Sequence, residues 1–78
     1  MMETILVDGK PVEVSRFSSD ETHRLWDNLE KQMGEIGTEG WPFGRQSEYL
    51  MKAVEWKLIS REDALELYLV AMGLKTTL

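Results

Sequence analysis

The sequence predicts an α+β domain, a short N-terminal β-hairpin followed by three α-helices and mainly helical overall. Three observations lead there. Two β-prone runs near the N-terminus flank Asp8-Gly9. Three later segments repeat apolar residues at helical spacing. Residues that start and stop helices stand at the edges of those segments. With 78 residues and no internal repeat or linker, the chain reads as one small domain, 1–78. A domain of this size buries a modest share of its surface and gains from a partner subunit.

The hairpin comes first. Glu3–Val7 and Pro11–Phe17 are the two β-prone runs, and Asp-Gly between them tolerates the positive φ of a tight turn. Val12 and Val14 alternate with Glu13 and Ser15, so one face is apolar and the other polar. Pro11 lacks an N–H and suits a strand start or an edge. Two strands do not hold together alone in water, so the ribbon must pack on the helices or pair with another chain.

The first helix is expected over Ser19–Met33. Ser18 and Glu21 have capping-box spacing, and Gly34 closes the helix. Thr22, Leu25, Trp26, Leu29 and Met33 share one face, with Arg24, Asp27, Asn28 and Lys31 pointing away. His23, at the edge of the polar side, reads as a surface residue with no partner in view. Glu35–Gly44 then excludes regular structure through Gly37, Gly40, Pro42 and Gly44. Trp41 and Phe43 sit inside it. They can fold back as a lid on the core or protrude as an aromatic plug for a partner, and the lid is the favoured reading.

The second helix is expected over Arg45–Leu58. Tyr49, Ala53 and Trp56 form one stripe and Leu50, Val54 and Leu58 the next. Ser60 is a good N-cap for the third helix, Arg61–Met72, with Glu62 and Asp63 in its first turn where negative charge suits the helix dipole. Apolar residues cover nearly its whole circumference, interrupted by Glu62, Asp63 and Glu66. A helix of that kind needs cover on several sides, which predicts a homodimer through this helix. Met33, Met51 and Met72 read as core filler, Gly73 as a helix stop, and Leu74–Leu78 as a frayed tail.

Composition narrows the function classes. The net charge is −5. Residues 1–43 hold four Lys/Arg against nine Asp/Glu, and residues 44–78 hold five of each, so the acidity belongs to the N-terminal half. Phosphate binding needs a basic footprint, and this distribution disfavours nucleic acid. There is no cysteine and one histidine, which leaves no disulfide, no thiolate and no metal-ligand spacing. Nucleotide-binding glycine motifs are absent, so no cofactor is expected. No stretch resembles a signal peptide or a membrane span, and the cytoplasm is the default location.

One family pattern stands out. An alternating strand, Val12–Phe17, leads into a helix and a glycine-containing turn. Gly44-Arg45-Gln46-Ser47-Glu48 and a further amphipathic helix follow. Over roughly Val12–Leu58 this resembles the ribbon-helix-helix family of dimeric DNA-binding regulators and antitoxins. The resemblance implies a two-chain antiparallel ribbon reading the major groove, with Glu13 and Ser15 on the groove-facing side and Arg45 and Ser47 at a phosphate. The chain departs from the family in three ways. Its loop between the helices is longer, a glutamate stands on the reading face, and Thr4–Val7 competes for the strand.

The expected function is a small non-enzymatic regulatory or interaction protein that binds another macromolecule, foremost as a protein-binding modulator or inhibitor. Trp41, Phe43, Glu13, Ser15, Arg45 and Ser47 are the candidate partner-binding residues. The alternative is a ribbon-helix-helix-like regulator or antitoxin that binds DNA.

Overall fold

A computed structural model describes residues 4–78. Strands β1 (Thr4–Val7) and β2 (Lys10–Val14) form an antiparallel hairpin, with Ile5 opposite Val12 and Val7 opposite Lys10. Asp8 and Gly9 both have positive φ, 52° and 79°, as a two-residue type I′ turn requires. Of the run expected from Glu3, Glu3 itself lies outside the described residues. Helices α1 (Ser19–Met33), α2 (Phe43–Glu55) and α3 (Arg61–Ala71) follow, with a 3-10 turn at Thr38–Gly40 between the first two. Ser18 Oγ accepts from the Glu21 N–H and Ser60 Oγ from the Asp63 N–H, so both serine caps form.

The core is a single cluster of Trp26 and Leu29 from α1, Tyr49, Leu50 and Ala53 from α2, and Ala64 and Leu67 from α3. Trp26 stacks on Tyr49 with ring centroids 6.3 Å apart. Trp41 meets the same tyrosine edge-on at 5.4 Å.

Several expectations are corrected. The tail is not frayed. Lys75–Thr76 forms a third strand, β3, parallel to β2, with Glu13 opposite Lys75 and Val14 opposite Thr76. The Ser15 N–H donates to Thr76 O and the Ser19 N–H to Leu78 O, fastening the tail on both sides of the β2–α1 corner. Helix α2 begins at Phe43, two residues early, because Pro42 fixes the extended backbone before it. It ends at Glu55 rather than Leu58. Lys57 takes a left-handed φ of 61°, and the Leu58 and Lys57 N–H groups bond back to Ala53 O and Val54 O, which is a Schellman stop without glycine. Trp56 therefore falls off the apolar stripe at the helix end, 56% exposed under the Lys52 ammonium. Met51 is no core filler, at 70% exposed.

Helix α3 departs furthest from its pattern. Glu66 is buried and Leu65 is exposed. The reason is what arrives beside Glu66. Ser15 Oγ donates to its carboxylate at 2.9 Å, the Arg16 N–H at 3.3 Å, and Lys75 Nζ at 2.8 Å. Burial alone would raise this carboxyl, but the bonds from Lys75, Ser15 and Arg16 outweigh it and hold it below the usual range. The β2–α1 corner, α3 and β3 are thus tied at one buried ion.

Candidate functional site

Helices α2 and α3 are joined by five residues, 56–60, and run side by side. Their facing stripes do not close completely. Between them lies a groove of roughly 670 Å³, lined by Ser47, Leu50, Met51, Val54, Leu65 and Tyr68, with Glu55 and Arg61 at the end near the connection. Leu50 and Ala64 form its buried floor, Val54 and Tyr68 are half-buried, and Met51 and Leu65 stand exposed as its walls.

The groove exists because both helices carry more apolar residues than one face can hide. On α2 the buried positions are Gln46, Tyr49, Leu50 and Ala53, and Met51 falls beside that stripe. On α3 the buried positions are Ala64, Glu66 and Leu67, and Leu65 falls outside that face. Turning α3 to bury Leu65 would pull Glu66 from its three donors, which the cost of a broken buried ion pair forbids.

The residues expected at a binding surface fall in three separate places. Trp41 is half-buried against Tyr49, and the Arg45 guanidinium lies 4.3 Å above its ring. It packs as a lid, beside Tyr49 rather than directly on Trp26 or Trp56. Phe43, in the first turn of α2, is 51% exposed, and Ser47, one turn further on, lines the groove. Glu13 and Ser15 lie at the base of the sheet, where Glu13 pairs with Lys75 at 3.6 Å and Ser15 turns its hydroxyl inward to Glu66. Sequence reasoning missed Met51 as surface, and on α3 it foresaw apolar residues in need of cover without saying which would stay open. The available signal was an apolar sector too wide for a three-helix core.

Two further polar clusters shape the molecule without opening onto the groove. His23, expected to lack a partner, meets Glu39 at 2.9 Å, because the 3-10 turn carries that glutamate back to α1. The bond to Glu39 and its charge raise the His23 pKa above 6.5. Around the same loop, Glu30 accepts from the Gly37 and Thr38 N–H groups and Gln46 Nε2 donates to the Thr38 and Glu39 carbonyls. Thr38 Oγ1, Gln46 Oε1 and Tyr49 Oη are buried there without a partner among the described residues. Burial raises the Tyr49 hydroxyl pKa, with the charges of Glu30 and Glu35 adding to it.

Among the described residues, no His, Asp and Glu side chains gather in a group of three that could hold a metal, and no helix is long and apolar enough to cross a membrane. Comparison with protein families, with curated proteins and with solved structures finds no match to this chain.

Proposed function

We propose that this chain is a small non-catalytic interaction protein whose α2–α3 groove receives an amphipathic helix from a protein partner. The observation that carries the reading is the groove itself, an apolar channel with a closed leucine-alanine floor and two exposed, adaptable walls. Helices dock into such channels through apolar side chains one turn apart, and methionine on the wall lets the channel fit several side-chain shapes. Its charge supports a neutral partner, because residues 44–78 balance five Lys/Arg against five Asp/Glu. A regulatory protein acting in the cytoplasm is consistent with this, since a chain without cysteine loses nothing in a reducing compartment.

The test is selection from a displayed library of amphipathic helices, followed by chemical-shift mapping of the binders. Selected helices should move Ser47, Met51, Val54, Leu65 and Tyr68, and Leu65→Glu should weaken them by at least about tenfold. Binders that map elsewhere, or that ignore Leu65→Glu, would sink the reading. The DNA-binding alternative is tested on the same preparation. Net charge −5 predicts no tight retention on duplex DNA at physiological salt. Tight, salt-dependent retention lost on Arg45→Ala would favour the alternative.

A further inference from the structure

The sheet has two outer edges, and they are treated differently. On the β2 side, β3 covers Glu13 and Val14, and Pro11 stands on the uncovered stretch. Proline has no N–H to offer, and Lys10 beside it adds charge, so that stretch is blunted against strand addition. The β1 side carries no such device. Thr4, Ile5, Leu6 and Val7 are uncharged, contain no proline and are all exposed, Leu6 to 73%.

The hydrogen-bonding direction of that edge follows from the turn. In a two-residue hairpin the pair flanking the turn exchanges backbone bonds, here Val7 with Lys10, and the next such pair is Ile5 with Val12. Leu6 lies opposite Pro11, a non-bonded position that suits a residue without an N–H. The N–H and C=O of Leu6 therefore point outward, unpaired. The ribbon also lacks support, because β1 packs on β2 and has no comparable contact with any helix. Over residues 10–12, where β3 does not reach, the ribbon has two strands, and a two-stranded ribbon is marginal in water.

We propose that two copies of this chain join at β1, antiparallel across a two-fold axis, with Leu6 opposite Leu6 of the second copy. This register follows from the pleat. Paired residues must lie on the same face, so centring on Leu6 sets Ile5 opposite Val7 and Thr4 opposite Asp8. Each Leu6 donates its N–H to the other's carbonyl, Ile5 and Val7 of both copies extend the apolar face of Val12, and no like charges meet among the described residues. A second copy is the fitting occupant because it supplies by construction an uncharged strand whose own edge needs the same partner. The assembly leaves both α2–α3 grooves open, since no hairpin residue lines them. The dimer then presents two docking sites. It stands independently of what the grooves bind.

The test begins with light scattering at about 100 μM, where the wild-type chain should weigh twice its 9.0 kDa. Leu6→Pro removes the outward N–H, and the leucine side chain with it, without taking a backbone bond from the hairpin, and should raise the dissociation constant by at least about tenfold while retaining the helical circular dichroism. The register is read by mixing Ile5→Cys chains with Val7→Cys chains under mild oxidation. The chain has no other cysteine. Directly opposed non-bonded positions lie within disulfide range, so the mixed disulfide should exceed either self-disulfide by about tenfold. A monomer at 100 μM, or a dimer in which the mixed disulfide is not favoured, would overturn the proposal, and the cysteine result decides even if Leu6→Pro fails to fold.

Discussion

Helix α1 carries four apolar residues among fifteen and α3 seven among eleven, and the two settle in opposite ways. In α1 the apolar residues fall on one stripe, Trp26 and Leu29 are buried to 2% exposure, and the charged face is solvent. In α3 the apolar residues go all round, yet the charged Glu66 is inside and Leu65 is outside. The difference lies in neighbours rather than in propensity. One stripe leaves α1 a single way to sit. The apolar surround of α3 leaves its rotation undecided, and the decision falls to a polar group with donors from the β2–α1 corner and β3. An apolar excess on a helix then becomes available surface, and here it forms the wall of the groove.

That contrast can be broken at several points, and Trp26→Ala should cost most. It removes the largest side chain on the decided face and should lower stability by about 3–5 kcal/mol in a denaturant titration. Glu66→Ala should follow at about 2–4 kcal/mol, since it strands Ser15 and Lys75 without their acceptor. The same carboxylate sets an acid dependence. Its native pKa is held below the ordinary 4.5, so its contribution is complete above that value and is lost as pH falls through the native one. Melts should therefore drop steeply below about pH 4.5 in the wild type, and less steeply in Glu66→Gln. Glu66→Ala melting like wild type would mean that the buried ion does not orient α3.

Trp41→Ala should cost about 2 kcal/mol, less than a fully buried tryptophan because the ring is half-exposed beneath Arg45. A mutant that melts unchanged would make the loop, rather than the groove, the leading candidate surface. Leu65→Lys should shift stability by no more than about 0.5 kcal/mol, although its neighbour in sequence is among the costliest positions. At Lys57 the expected effect has the opposite sign. Glycine there relieves a left-handed φ and should stabilise by about 0.5–1 kcal/mol.

Much of the fold was legible because its signals are local. The Asp8-Gly9 turn, the Ser18 and Ser60 caps and the Gly34 stop each depend on residues a few positions apart, and each forms as expected. The strand at Lys75–Thr76 was not legible, since two residues carry no period and their partner lies 62 positions away in Glu13 and Val14. The same distance hid the burial of Ser15 and Glu66. The groove was half-legible. Excess apolar character on α3 announced uncovered surface, but which side remained uncovered depended on that distant contact.

The pairing of β2 with β3 also sets the order in which the molecule can assemble. The hairpin, the three helices and the Schellman stops close from neighbouring residues, so they can form while later parts of the chain are still being made. The carboxylate of Glu66 has no such freedom. Its ammonium partner, Lys75, stands nine residues further on, and the backbone bonds that seat the tail reach Leu78. Until those residues are made, Glu66 has Ser15 and Arg16 as donors but lacks its ammonium partner, and the rotation of α3 is held less firmly. The seating of α3 is therefore completed by residues far along the chain from β2, after the local elements have formed.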